Sequence, residues 1–280
     1  GRSMVGHLMS SGYGATVYNR TRAKCQPLED KGATVASSPR EVAENSDVCF
    51  LIVGYPSDVE KCVLGDDGVL AGMKAGGVIV DMTTSEPALA VRIHEEAKAK
   101  GVYSIDAPVS GGDAGAKNAA LSIFVGGDQT PVDKVWPLFE IMGKSIEHMG
   151  PPGSGQHTKM ANQIMIGTCM VGLVEGMLYG VKAGLDIQQV IAAVRGGAAG
   201  SKSLELYASR IIDEDFEPGF FVDHFVKDLG ICVSECERMG LDLPGLHLAK
   251  KLYQSTQASG YGLKGTQALY LTLKDMQNEK

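Results

Sequence analysis

The sequence predicts an α/β protein: a doubly wound sheet domain over residues 1–152, then an all-helical domain over residues 153–280. Three observations carry this expectation. Short β-branched runs alternate with helical segments through the first half, as in a mainly parallel sheet with helices on both faces. Polar or glycine-rich loops follow those runs, where such sheets place their ligands. From residue 156 the period turns helical and stays so, with Met160, Ile164, Gly167, Val171, Val174 and Leu178 at three- and four-residue steps.

Taken in order, Met4, Val5, Leu8 and Met9 place a helix ahead of Gly12, and 15–19 reads as a strand. Further strands are expected near 33–36, 48–53, 77–82, 102–107, 122–125 and 145–148. Helices near 23–31, 39–45, 57–63, 88–100 and 131–142 separate them. Helix, glycine, strand and then Arg20-Thr21 is the order found just after the first turn of a dinucleotide-binding βαβ unit, which makes the first domain Rossmann-like. The strand and glycines that open such a unit are not in the sequence, so the expected sheet lacks its first strand. In the second half a long helix over 156–183 is punctuated by Gly167, Gly172, Gly176 and Gly180. Each glycine costs about 1 kcal/mol against alanine in a helix, so close helix or subunit contact is the expected reason for them. A small-residue break at 196–203 and further helices over 231–276, interrupted at Pro244-Gly245 and at 260–265, complete the chain.

Composition narrows the function. With 280 residues, 44% of them hydrophobic, the chain forms a core without staples. Its net charge is -7 and its 26 basic residues are scattered, which disfavours a nucleic-acid surface. The six cysteines lie mostly in apolar segments without paired spacing, as free thiols do in a reducing compartment. Cys232 and Cys236 stand one turn apart with no second Cys/His pair, so no metal site is expected. No run reaches the ~18 to 20 apolar residues, free of charge and glycine, of a membrane span. The expected partner is a small molecule or another protein chain.

The strand ends supply the chemistry. Asn19, Arg20 and Thr21 follow the strand at 15–19. An acidic residue there would favour NAD through the ribose diol, whereas Arg20 can meet a 2′-phosphate and its neighbours add neutral hydrogen bonds. NADP is therefore the preferred cofactor, with NAD as the alternative and a merely solvated Arg20 as the competing reading. Val53, Gly54, Tyr55 and Pro56 end the strand at 48–53, and Thr84 follows the next one on the same rim. Ser110, Gly111 and Gly112 can form a nest of backbone N–H groups for a carboxylate, or a plain strand-to-loop turn. Lys159 lies on the first turns of an apolar helix entered through Gly-x-Gly. Burial lowers a lysine's pKa and makes its neutral form available as a general base; a solvated lysine is the alternative. Asn162 and Gln163, at i+3 and i+4 from it, can face the same cleft or water.

DAPVSGG at 106–112, GSGQHTKMANQ at 153–163 and FFVDHFVKDL at 220–229 resemble the β-hydroxyacid dehydrogenase family. Over essentially its whole length the chain looks most like 3-hydroxyisobutyrate dehydrogenases and the glyoxylate and succinic semialdehyde reductases. The resemblance implies an oxidoreductase that moves a hydride between NAD(P) and a short β-hydroxyacid or semialdehyde, with Lys159 as general acid/base. It places the substrate carboxylate on Ser110, Gly111 and Gly112, and orients the substrate through Asn162 first and Gln163 second. Phe220 would cover the substrate, Lys227 would approach the cofactor, and Asp228 would orient the constellation. A Lys227–Asp228 pair exposed to solvent, worth under ~1 kcal/mol, is the alternative. Gly1 resembles the last glycine of the family's Gly-x-Gly-x-x-Gly turn. The family further implies a homodimer or homotetramer built with the long helix, and an intracellular address: mitochondrial matrix, with cytosol or plastid open and the targeting segment outside this sequence. A non-catalytic dehydrogenase-like binding or oligomerisation protein, or a truncated inactive paralogue, is the alternative reading. Lys159, Ser110 and Arg20 together favour the enzyme, and Lys159 also counts against the imine reductases, which share the architecture.

Overall fold

The structure, a computed structural model, describes residues 1–278. It divides into two compact units, Gly1–Lys159 and Met160–Lys280. The first unit runs α1 (Arg2–Ser10), β1 (Thr16–Val17), a 3-10 turn (Arg22–Cys25), α2 (Gln26–Glu29), β2 (Thr34–Val35), α3 (Pro39–Glu44), β3 (Val48–Leu51), α4 (Pro56–Leu64), α5 (Val69–Gly72) and β4 (Val78–Asp81). It continues through α6 (Pro87–Ala99), β5 (Tyr103–Asp106), β6 (Val109–Ser110), α7 (Gly112–Lys117), β7 (Leu121–Gly126), α8 (Gln129–Met142) and β8 (Gly143–Gly150) to the start of α9 (Ser154–Lys182).

Local chemistry sets several boundaries. Pro39, Pro56 and Pro87 open α3, α4 and α6, where a missing N–H costs nothing. Before α3, the Ser38 hydroxyl accepts the Glu41 N–H at 3.1 Å while the Glu41 carboxylate accepts the Ser37 N–H at 2.7 Å. Each side chain thereby satisfies a backbone donor that the helix start leaves open.

Two sheets result. β1 and β2 pair in parallel as a two-stranded sheet, and the remaining strands form a six-stranded sheet in the order β3-β4-β5-β7-β6, with β8 on β7. β4 pairs in parallel with β3 and β5, in a register that sets Asp81 beside Asp106. All four β4 residues are buried, and its alternation decides both cores. Val78, Val80 and Met82 pack with Ile105, Ile123 and Phe139. Ile79 turns the other way, toward Cys49, Val59, Val63 and Ile93. The sheet is mainly parallel, as expected, with β7 running antiparallel to β5 and β6. β6, two residues long, continues in the direction of β5 after Pro108, and the chain reverses through α7 before it enters β7.

The second unit is helical, with α10 (Ile187–Arg195), α11 (Lys202–Ile212), α12 (Val222–Met239), α13 (Pro244–Thr256), a π turn (Gln257–Tyr261), a 3-10 turn (Thr266–Ala268) and α14 (Leu269–Asn278) after the body of α9. Gly240 ends α12 in the left-handed conformation (φ 66°) that a residue with a Cβ adopts at a cost. Met160, Met170, Val174 and Met177 of α9 pack with Phe225, Leu229, Cys232 and Tyr253 in its core. The absence of an unbroken apolar run stands beside a test of length and composition alone, which a core helix also passes. By that test the 29 residues of α9 make it the one helix, among those described, long and apolar enough to cross a membrane.

Candidate active site

The first unit's candidate cofactor loops follow strands β1, β3 and β4. Asn19 Oδ1 accepts the Thr21 N–H at 2.9 Å, an Asx turn that fixes the loop after β1. Arg20 stands out from that turn, 88% of its side chain exposed, with Nη1 3.7 Å from Asp58 Oδ1. Gly1 caps α1, and a Cβ there would lie 3.2 Å from Ile52 Cγ2, so a side chain at this position presses on the β3 exit. Val53, Gly54 and Tyr55 connect β3 to Pro56 at the first position of α4; Tyr55 is 44% exposed.

A network that includes Asp81 and Gln156, to which the sequence reading assigned no role, ties these loops together. The Val53 N–H donates to Thr83 Oγ1 at 3.0 Å, and the Thr83 N–H donates to Asp81 Oδ1 at 2.9 Å. Two residues on, the Ser85 N–H donates to Gln156 Oε1 at 2.9 Å, while Gln156 Nε2 donates to the Thr83 carbonyl at 2.7 Å. Half-buried Thr84 lies between these two fastened residues.

Asp106, at the end of β5, is the second fastening. Its Oδ1 accepts the Gly153 N–H and its Oδ2 the Gln156 N–H, both at 2.8 Å. These are orphan donors of the α9 start, where the helix dipole also favours a negative charge. Burial pushes the Asp106 carboxyl above its ordinary range, and the N–H groups of Gly153, Gln156 and Gly155 offset part of that shift. Space here is tight enough to require glycine: a Cβ at Gly126 would lie 2.5 Å from Asp106 Oδ1, and one at Gly155 would lie 2.5 Å from the Asp106 carbonyl. Three residues beyond Gln156, Lys159 is 6% exposed.

Past β5, Ser110 sits in the β6–β7 ladder opposite Ser122, half-buried. Gly111 (φ 128°) and Gly112 (φ 63°) both lie in the region that favours glycine and lead exposed into α7. Consecutive N–H groups turned this way are available to an anion.

The second unit brings together four of the residues singled out from the sequence. Asn162 Nδ2 donates to Gln163 Oε1 at 2.7 Å, Gln163 Nε2 donates to Asp228 Oδ2 at 2.7 Å, and Lys227 Nζ lies 2.7 Å from Asp228 Oδ1. Gln163 and Asp228 are buried, 1% and 2% exposed, and Lys227 keeps 12% of its side chain accessible. The pair is therefore not the solvent-exposed one weighed as an alternative. Phe220 is half-buried just before α12, its ring edge-on to Phe225 with centroids 5.5 Å apart.

Comparison with known proteins identifies the arrangement. The family described as the NAD binding domain of 6-phosphogluconate dehydrogenase matches residues 1–150, and the one described as NAD-binding of NADP-dependent 3-hydroxyisobutyrate dehydrogenase matches residues 153–273. The chain is 59% identical to the probable mitochondrial 3-hydroxyisobutyrate dehydrogenase-like 1 of Arabidopsis thaliana, over 99% of this chain and 83% of that one. It is 36% identical to the 2-hydroxy-3-oxopropionate reductase of Escherichia coli, over 89% and 85%. It superimposes on the crystal structure of a 3-hydroxyisobutyrate dehydrogenase from Salmonella typhimurium with a TM-score of 0.87 at 25% identity, covering 96% and 95%.

The chain belongs to the β-hydroxyacid dehydrogenase family.

It is an NAD(P)-dependent oxidoreductase acting on hydroxyacids. The residues of this dehydrogenase fit the cofactor on chemical grounds. No carboxylate stands among Tyr18, Asn19, Arg20 and Thr21, and the exposed Arg20 guanidinium has the Asp58 carboxylate 3.7 Å away. Among the described residues no group of three or more His, Cys, Asp or Glu could hold a metal ion.

Proposed function

We propose that this dehydrogenase interconverts a short β-hydroxyacid and the corresponding semialdehyde, with NADP preferred over NAD and Lys159 as general acid/base. The observation that carries the reading is a lysine 6% exposed, on a helix whose first turn is fastened to the ends of β4 and β5. Burial favours the neutral amine of a lysine, the form that removes a proton. Bound NADP supplies the hydride acceptor or donor. In the oxidative direction Lys159 Nζ takes the hydroxyl proton as the hydride leaves the carbinol carbon; in reduction it returns that proton to the carbonyl oxygen.

Gly1, Asn19, Arg20, Thr21, Val53, Gly54, Tyr55, Pro56 and Thr84 would hold the cofactor, and Lys227 is a further cofactor contact in this reading. Ser110, Gly111 and Gly112 would seat the substrate carboxylate, which sets the distance at which the carbinol carbon reacts. Asn162 and Gln163 would orient the substrate, Asp228 would hold Gln163 and Lys227, and Phe220 would cover the site. The names of the Arabidopsis relatives support a mitochondrial address. The outer face of α9, with Met165 61% and Tyr179 76% exposed and Gly172 and Gly176 open, supports association of two copies along that helix.

The test is nicotinamide absorbance with 3-hydroxyisobutyrate, glyoxylate and succinic semialdehyde, each with both cofactors, on the parent and on Lys159→Ala. Loss of kcat by about 10³-fold or more with cofactor affinity retained is the expected result. Turnover by Lys159→Ala within about tenfold of the parent removes the lysine from the mechanism.

A further inference from the structure

Gln156 is wholly buried, and both ends of its carboxamide are engaged by backbone groups of opposite polarity. The Ser85 N–H requires an acceptor and the Thr83 carbonyl requires a donor, so the orientation of the amide is fixed by its partners. The Gln156 N–H is committed as well, to Asp106 Oδ2. Through Thr83 the same network reaches the Val53 N–H and the Asp81 carboxylate. A single side chain thus joins the loops after β3 and β4 to the first turn of α9. Lys159 follows three residues later, an adjacent position on the helix surface.

We propose that Gln156 is a positioning residue: it sets the Lys159 amine relative to the loops at 53–56 and 83–85, and passes movement of those loops to the helix start when cofactor binds. This rests on the reading of Lys159 as acid/base and of the two loops as cofactor contacts. The carboxamide is suited to the task because it is a two-ended strut. Leucine in its place would keep most of the volume but leave the Ser85 N–H and the Thr83 carbonyl buried without partners. Glutamate would keep the acceptor for Ser85 and set a carboxylate oxygen against the Thr83 carbonyl, and its protonated form would supply the missing donor again.

The test compares Gln156→Leu, Gln156→Glu and Lys159→Met with the parent, using 3-hydroxyisobutyrate and NADP as probes. For Gln156→Leu we expect kcat to fall about 30- to 300-fold with KM changed less than about threefold, because the loss falls on the chemical step. The midpoint of its kcat–pH profile should move by about one unit, since a displaced lysine titrates in a different setting. Gln156→Glu should regain activity relative to the parent as pH falls and its carboxyl is protonated. Hydrogen exchange supplies a readout without turnover: NADP should slow exchange at 83–85 and 153–159 in the parent, and only at 83–85 in Gln156→Leu. A kcat within about threefold of the parent, or a lower kcat with an unmoved pH midpoint and exchange still coupled, overturns the positioning role. If Gln156→Leu does not fold, the acid recovery of Gln156→Glu decides, and no recovery overturns the proposal. Lys159→Met separates the two ideas. Were it to turn over like the parent, the acid/base reading itself would fall; if it is inactive while Gln156→Leu is parent-like, only the positioning role falls.

Discussion

Asp106 and Asp228 are both buried carboxylates, 4% and 2% exposed, and they are held in opposite ways. Asp106 is met by the backbone N–H groups of Gly153 and Gln156 at the start of α9. Asp228 is met by side chains, the Gln163 amide and the Lys227 ammonium. Backbone donors stand where the fold puts them, so the first arrangement fixes a position. Side-chain donors rotate and exchange partners, so the second can rearrange when a ligand arrives. The difference separates a fixed joint from an adjustable one, although both carboxylates are buried.

The largest test of that contrast is Asp106→Ala, which orphans two buried backbone donors at once. We expect about 3 kcal/mol of stability to be lost, read from the urea midpoint. A loss under about 1 kcal/mol would mean that the α9 start finds other acceptors and that the joint is not one. Next in size is Asp228→Ala, for which we expect a loss of about 2 kcal/mol, since it removes a buried carboxylate that both Gln163 and Lys227 engage. Combined with Lys227→Met, the loss should be smaller than the sum of the two single losses by about 1 kcal/mol, because both changes remove the same ion pair. Strict additivity in that double-mutant cycle would show that the two side chains do not act as a pair.

A third test uses pH. Burial raises the Asp106 carboxyl in the folded chain, so its contribution to stability is complete below the unfolded-state value near ~4 and is lost as pH climbs through the raised folded value. Asp106→Asn has no proton to lose over that window. Its deficit relative to the parent should therefore shrink as pH rises; a deficit that widens would mean the amides outweigh burial. The smallest stability effect belongs to Arg20, whose exposed pairing with Asp58 gives an Arg20→Ala change of about 0.5 kcal/mol or less. The same variant should weaken NADP about tenfold more than NAD, a comparison of two titrations that equal weakening would contradict.

Much of the fold was legible because its signals are local. The helical period of α9 shows in Met160, Val171 and Val174, and the short runs of β3, β4 and β5 end in recognisable loops. What escaped was non-local. The direction of β7 depends on Val109 and Ser110 pairing with Ile123 and Ser122 across a short excursion, which no period encodes. The candidate site divides along the same line. Lys159 and the glycines at 111 and 112 stand out from their immediate neighbours, whereas Asp106 and Gln156 each lie inside a motif read for other reasons. The bonds that give them meaning join positions 50, 71 and 73 residues apart. A glutamine on the first turn of a helix has no sequence mark that distinguishes a strut from a solvated side chain.

The segment before α12 carries a final consequence. The Thr266 N–H donates to the Phe220 carbonyl at 3.0 Å, the Val222 N–H donates to the Lys264 carbonyl at 2.9 Å, and Phe221 bridges Gly265. Whatever Phe220 encloses is therefore shaped as much by a loop forty-odd residues downstream as by its own neighbours. A designer exchanging the 216–223 segment between relatives to retune substrate choice would have to transplant 262–267 with it, and homologous sequences should change at the two stretches together.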